Sequence, residues 1–321
     1  MAARGRRSSA GPPRRQRQRP AGVEPPGTST QRPTPELPPP PRPLPTAVAD
    51  THTHLDLQDA LTDDAIAAAA EVGVAPLVQI GVDVMSSRWG AELAAASPGV
   101  WATVALHPNE APRLVLGDVD SWRPGPPRPP GGMSALDLAL AEIDKLAVLP
   151  QVRGIGETGL DHFRTGEEGL PAQEYSFRRH LEMAKAHDKP LIIHDRDAHD
   201  EALRILAEDG EPAVVVFHCF SGDTAMAKVC AERGYYMSFA GNVTFASASP
   251  LRDALLAAPV DLLLVETDAP FLTPVPYRGR PNASYLVPWT VRKMAEVKGI
   301  PEETMAAALG ANAERVFGPY V

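Results

Sequence analysis

Two histidines stand two residues apart in Ala49-Asp50-Thr51-His52-Thr53-His54-Leu55-Asp56, just after a short apolar run. At the end of a β-strand that spacing sends both imidazoles to one face. Imidazoles converging on one point, with acids on either side, suit a divalent metal. His-x-His also arises by chance in surface loops, so the pair alone decides nothing. Further ligand-type residues follow other apolar runs. They are His107 in Leu106-His107-Pro108, Glu157 in Gly154-Ile155-Gly156-Glu157-Thr158-Gly159-Leu160-Asp161, and His194 in Ile192-Ile193-His194-Asp195-Arg196. His218 stands in Phe217-His218-Cys219-Phe220-Ser221-Gly222, and Asp268 in Glu266-Thr267-Asp268-Ala269-Pro270-Phe271.

These residues need elements that bring them together. From Ala47 onward, short β-branched runs alternate with alanine-rich amphipathic stretches. The pattern predicts strands over 48–52, 77–81, 101–106, 153–157, 191–194, 214–218, 235–239 and 262–265. Helices are expected between them, among others over 62–72, 134–149, 173–187, 197–208, 224–233 and 251–257. Thr62 and Ser134 read as N-caps, and Ser134-x-x-Asp137 resembles a capping box. Strands apolar on both faces and linked by helices indicate a parallel sheet. Eight β/α units over about 275 residues match an α/β fold of the (β/α)8 TIM-barrel class. A doubly wound open sheet is the alternative, but no Gly-rich dinucleotide turn follows the first strand.

In a barrel, residues at the C-terminal strand ends reach one common site. Five of the nine histidines fall there. His180, His187 and His199 fall in or near helical patterns and are expected in surface or satisfied packing roles; His162 lies near the site. Four histidines and two carboxylates exceed what one zinc ion needs and fit two divalent ions. One ion would take His52, His54 and Asp268, the other His194 and His218, with Glu157 as the bridge. Such a pair, about 3.5–4 Å apart, clamps an oxyanion and activates a water. Asp268 could orient that water and take its proton. In the plainer alternative, Glu157 or Asp268 caps a helix or pairs with an arginine. Histidine nitrogens suit zinc; carboxylates with a phosphate substrate also suit manganese or magnesium.

Arg196, two residues after a ligand, could fork onto a phosphate, or pair with Asp195 or Asp197. Arg278 and Arg280, in Tyr277-Arg278-Gly279-Arg280-Pro281-Asn282, are candidate phosphate contacts. His107 is expected to donate to substrate or leaving group, or to pack behind the ligands. Cys219 should face away from the metals, because adjacent strand residues alternate. Ser221-Gly222 reads as a tight turn.

The 321 residues carry a formal charge of -9. Residues 1–46 hold nine arginines against two glutamates, or +7, so the remainder carries -9 − 7 = -16. Thirteen of the 35 prolines also fall there. Residues 1–46 therefore read as a disordered Pro/Arg-rich tail, a solvated extension or the product of a mis-assigned start codon ahead of a weak attractor of nucleic acid, and 47–321 as the barrel domain. The run 123–132, RPGPPRPPGG, reads as a surface loop inserted in that domain. No apolar h-region follows Arg6-Arg7, and no apolar run approaches the ~20 residues of a membrane helix. With two cysteines too few for a disulfide framework, a cytoplasmic location is the default. The oligomeric state is not set, and a monomer suffices. The Ala, Arg and Pro content suggests a GC-rich, actinobacterial type of genome.

THTHLD, ALHPNEA, GIGETGLD, IIHDRDA, HCFSG, MSFAGNVTF and ETDAPFLTP occur in that order. Together, over about residues 48 to 317, they resemble the TatD family of metal-dependent deoxyribonucleases and hydrolases. The resemblance implies an amidohydrolase-like TIM barrel, a one- or two-metal site and phosphodiester hydrolysis. It places the family's ligands on His52, His54, Glu157, His194, His218 and Asp268, with Glu157 and Asp268 in the chemistry. Two positions depart from its pattern. His162 stands where an aromatic residue is expected, and Ala246 where a basic residue is frequent. A body near -16 without a long basic stripe suits a short contact at a strand terminus. The expected activity is therefore exonucleolytic, on single-stranded DNA or DNA ends. Another ester or amide hydrolase on the same site, such as a D-aminoacyl-tRNA deacylase, is the first alternative. A non-enzymatic scaffold is the second.

Overall fold

The structure, a computed structural model, describes residues 36–60, 62–117 and 128–320. Eight strands appear where the hydrophobic runs lie. They are β1 (Val48–Thr53), β2 (Val74–Ile80), β3 (Val100–Val104), β4 (Val152–Asp161), β5 (Leu191–Arg196), β6 (Val215–Phe217), β7 (Tyr236–Phe239) and β8 (Leu263–Val265). They pair in parallel in chain order, β1 next to β2 and so on to β8. The helices between and after them are α1 (Thr62–Glu71), α2 (Val84–Ala96), α3 (Glu110–Leu116), α4 (Gly132–Ala147), α5 (Leu170–Ala186), α6 (His199–Asp209), α7 (Thr224–Arg233), α8 (Ser249–Ala257), α9 (Val287–Lys298) and α10 (Glu302–Phe317). The result is a nearly closed (β/α)8 barrel, so the open sheet is excluded.

Two expectations about helix starts fail. Thr62 is the first residue of α1 and Ser134 the third of α4, so neither is a cap. Helix α4 starts as soon as the proline run ends at Pro130, with Gly131 at its N-cap. A side-chain capping box occurs instead at α2. There Asp83 accepts from the Ser86 N–H at 2.7 Å, and the Ser86 hydroxyl accepts from the Asp83 N–H at 3.0 Å.

Residues 1–35, and 123–127 of the proline run, lie outside the described residues. Residues 36–46, expected to belong to the tail, pack on the barrel. Leu44 is buried in the core and its N–H donates to Val72 O at 3.0 Å. The Tyr285 hydroxyl donates to Pro38 O at 2.6 Å, and Arg42 pairs with Glu302 at 2.7 Å. Prolines cannot join a ladder, but their carbonyls still accept, and Leu44 has apolar surface to hide.

Between β8 and β1 the backbone ladder reduces to one bridge, Thr53 to Ala269. Side chains complete the seam. Buried Asp50 accepts from the Thr267 N–H at 2.9 Å and the Thr267 hydroxyl at 2.6 Å. The Thr51 hydroxyl donates to Val265 O at 2.9 Å. Past the end of β8, the Asp268 N–H donates to His52 O, and the His54 N–H to Ala269 O, both at 2.9 Å. The two segments that carry the most ligand candidates are thus locked together.

The barrel interior has an apolar floor. A small core cluster contains Ile192, Val216 and Leu264, underlain by Ala313, Val316 and Phe317 of α10. Those three strand residues lie two positions before His194, His218 and Glu266, and so share their face. The larger core cluster includes Leu136, Leu140, Phe177, Leu181, Ile205 and Leu206 of α4, α5 and α6. His180 has the satisfied packing role expected of it: its Nε2 accepts the Leu106 N–H at 3.0 Å, and its Nδ1–H donates to Ser176 O at 2.7 Å.

Two predictions follow from these buried polar groups. Thr267→Val keeps the backbone donor but leaves the Asp50 carboxylate short of the hydroxyl, and is expected to cost about 1.5–3 kcal/mol, read as a lower urea midpoint at unchanged slope. Burial pushes the His180 pKa down from 6.5 to about 4. Between those values the unfolded chain binds a proton that the folded chain does not, so stability falls as pH drops through the window. Urea unfolding at each pH should show wild type losing about 3 kcal/mol more than His180→Gln, whose amide can make both bonds without titrating.

Candidate metal centre

Glu157 lies in the middle of β4 and is buried, 3 % exposed. Glycines bring it there. A Cβ on Gly156, where φ is +156°, would sit 2.5 Å from the Ile192 Cβ; one on Gly159 would overlap His194 O. Only glycine lets β4 approach β5 this closely.

The two carboxylate oxygens of Glu157 face different imidazoles. Oε2 lies 3.4 Å from His52 Nε2 and 3.9 Å from His54 Nε2. Oε1 lies 2.7 Å from His194 Nδ1, 2.9 Å from His218 Nε2 and 3.4 Å from His107 Nε2. Asp268 stands on the Oε2 side, its Oδ1 3.4 Å from His54 Nε2 and 3.8 Å from His52 Nε2. All six residues expected as ligands therefore meet around one point, with His107 beside them. Neither Glu157 nor Asp268 pairs with an arginine among the described residues, so that alternative is not realised.

The electrostatics record a cluster short of positive charge. Burial pushes the Glu157 carboxyl up, but His218, His107 and His194 hold it well below the usual carboxylate range. Burial opposes protonation of His218, yet Glu157 and Glu266 raise it well above an ordinary imidazole. His54 and His194 rise too, against burial, through Asp268 and Asp161 respectively. Burial and His218 push His52 down. Both ring nitrogens of His52, Nδ1 of His54 and Nε2 of His194 are buried without a hydrogen-bond partner. Divalent cations would replace the shared protons and give His52 Nε2, which faces Glu157 Oε2, a partner, so the donor set fits metal. Three groups have ligand atoms close enough to hold an ion: His52, His54 and Glu157; His52, His218 and Glu266; and His107, Glu157 and His194.

Sequence reading passed over several residues at this site. Glu266, fully buried, accepts the Cys219 N–H at 2.8 Å and lies 3.2 Å from His218 Nδ1. Its signal was available, two positions before Asp268 at a strand end. Asp161 lies 3.3 Å from His194 Nε2 and accepts from Asn109 Nδ2 at 2.9 Å. It was missed because β4 runs four residues beyond the expected end at Glu157. Asp161 also accepts the Phe163 and Arg164 N–H groups, at 3.0 and 2.8 Å, which fixes the turn after β4.

A cavity of about 410 Å³ opens above the cluster, bordered among others by Arg164, Arg196, Cys219, Ser221, Phe271 and Leu272. Arg196 is there as expected. Its guanidinium lies 3.9 Å from the centre of the Phe163 ring, and no ion pair with Asp195 or Asp197 is found among the described residues. Asp195 instead meets His199 at 2.5 Å, and His187 pairs with Asp144 at 2.7 Å. Two expectations are corrected. Cys219 borders the cavity, because β6 ends at Phe217 and a φ of +42° breaks the alternation. Arg278 and Arg280 do not border it. The loop after β8 borders the cavity only with Asp268, Phe271 and Leu272. Farther along, Arg278 lies over the Phe245 ring at 4.4 Å, and Arg280 pairs with Glu36 at 3.3 Å.

A family profile described as TatD related DNase matches residues 49–318. A Mycobacterium tuberculosis protein named uncharacterized metal-dependent hydrolase TatD is 38% identical over 279 residues, 84% of this chain and 98% of that protein. A Citrobacter rodentium protein named 3'-5' ssDNA/RNA exonuclease TatD is 34% identical over 264 residues, 80% of this chain and 91% of that protein. Among solved structures, the Escherichia coli YJJV protein, a TATD homolog, superposes with a TM-score of 0.73 at 26% identity, covering 85% of this chain and 98% of that one.

Because Glu266 orients His218 without facing the cavity, Glu266→Gln should weaken metal binding about 10–100-fold while the protein stays folded. Competition with a chromophoric chelator measures the first, and circular dichroism the second.

Proposed function

The chain belongs to the TatD family of metal-dependent hydrolases, and on that premise we propose that it removes nucleotides from the end of single-stranded DNA. The observation that carries this reading is the division of imidazoles between the two oxygens of Glu157. It supports two divalent ions bridged by Glu157. His52, His54 and Asp268 would hold one; His194 and His218 would hold the other. The mixed nitrogen and carboxylate donors suit zinc or manganese, and magnesium with a phosphate substrate. Such ions supply Lewis acidity toward a phosphoryl oxygen and lower the pKa of a water.

The chain's own groups account for the other requirements. Asp268, held below the usual carboxylate range by His54 and His52 against burial, is ionised and can take a proton from the attacking water. His107 stays neutral, since burial pushes its pKa down to about 4. Its Nδ1 accepts the Asn109 N–H at 3.0 Å, so Nε2 carries the hydrogen; it faces Glu157 Oε1 at 3.4 Å and would turn to substrate or leaving group when one is bound. Arg196, on the cavity border, would contact a phosphate oxygen. The name of the Citrobacter rodentium relative favours attack from the 3′ end, with RNA as a second substrate. No helix among the described residues is long and apolar enough to cross a membrane, and both cysteines are free, which supports action in the cytoplasm.

The test uses single-stranded DNA labelled at either end and protein stripped of metal, then given magnesium, manganese or zinc. At least one metal is expected to restore stepwise shortening from the 3′ end, and Glu157→Ala to abolish it. If no metal restores cleavage, or if the variant cuts as well as wild type, the nuclease reading falls. Charged tRNA and other ester or amide substrates would then come next.

A further inference from the structure

The walls of the cavity differ in chemistry. Arg164 and Arg196, from the segments ending β4 and β5, put two cations on its border. Phe271 and Leu272, from the loop after β8, put apolar surface on the border as well. In an eight-stranded barrel ordered β1 to β8, β4 and β8 lie four strands apart, on opposite sides of the axis. The metal ligands lie between these walls.

Phe271 is 45% exposed, an unusual place for a phenyl ring unless something covers it. It stands beside the ligands, its ring centre 6.4 Å from that of His54. Its backbone is held on both sides. The Phe271 N–H donates to Asp268 O at 2.8 Å, and buried Asn282 donates from Nδ2 to Phe271 O at 2.5 Å. Gly241 packs so closely beneath the loop that a Cβ there would overlap Leu272 O. A held backbone that presents an exposed ring at the rim lowers the cost of receiving a flat partner.

We propose that Phe271 is the stacking platform for the terminal nucleobase of the strand being cut. This rests on the nuclease reading and adds to it a substrate subsite. With the base on Phe271, its phosphate lies across the cavity, between the metal ligands and the Arg164–Arg196 wall. Stacking is tolerant of sequence, because every base has a π-face. It also demands a free end, since a paired terminal base must first leave its partner and its stack. The cavity, near the small end of ligand pockets, admits a strand end and not a duplex. Single-strand preference thus follows from one ring.

The experiment uses metal-loaded full-length protein and 5′-labelled single strands that end at the 3′ side in an ordinary nucleotide or an abasic residue. Wild type should prefer the ordinary end about 5- to 150-fold, mainly through KM. Phe271→Ala should bring the ordinary end down to the rate of the abasic end and leave the abasic end unchanged; Phe271→Trp should restore the preference. Arg196→Ala should slow both ends alike. A 3′-terminal 2-aminopurine in a non-cleavable strand should be quenched by wild type and not by Phe271→Ala. Equal loss at both ends in Phe271→Ala, or no preference in wild type, overturns the platform while leaving the nuclease. If wild type removes neither end, the nuclease reading itself falls, and the platform with it.

Discussion

One buried carboxylate surrounded by five imidazoles sets the terms for this protein. An anion removed from water is costly unless charge and hydrogen bonds are supplied around it. Here they arrive from the ends of β1, β3, β5 and β6, all directed at Glu157. Nearby features serve that convergence. Gly156 and Gly159 let β4 come close to β5. Glu266 orients the far nitrogen of His218, and the Asp161 carboxylate lies 3.3 Å from that of His194. The nitrogens that face Glu157 and Asp268, His52 Nε2 among them without a hydrogen-bond partner, make the cluster suit divalent ions, since cations satisfy lone pairs that protons cover only in part.

The same site explains an irregularity in the barrel. The β8–β1 seam has almost no backbone ladder, yet it carries His52, His54 and Asp268. Asp268 adopts a φ of +53°, which a regular strand would not allow, and its carboxylate turns toward the histidines. A ladder continued through this point would remove that turn. The closure passes instead to Asp50, whose two oxygens hold Thr267. Burying that carboxylate pushes its pKa up to about 7, so the seam is kept at an electrostatic cost. Backbone conformations of this kind gather at functional sites because the surrounding structure over-determines them.

Around the cluster of candidate ligands, charge is arranged against the overall composition. The chain from residue 47 on is strongly acidic, yet the cavity has arginines on its β4–β5 border. Long-range attraction for a polyanion is therefore weak, while the local field at the cavity favours one or two phosphates. Such an arrangement of charge suits a short contact better than a long wrapped duplex, in keeping with the proposed function.

The strand runs and the seven motifs were legible along the chain. Apolar periodicity is a local property, and eight β/α repeats leave few ways to bury their faces. The convergence of the six ligand candidates was legible too, because a barrel sends its C-terminal strand ends to one place. Helix starts were not, since Gly131 can begin a helix as soon as the prolines end. Nor was the reach of residues 36–46, because prolines and scattered apolar residues do not announce where they dock. Strand alternation misled at Cys219, where the strand had already ended and a positive φ turned the residue inward. Loop position misled at Arg278 and Arg280, and it concealed Arg164, Phe271 and Asp161. By itself, then, the order of residues determined the barrel and the chemistry of its mouth. Only the tertiary structure decided which oxygen of Glu157 faces which histidine and which side chains form the cavity wall, because those depend on how distant loops close on one another.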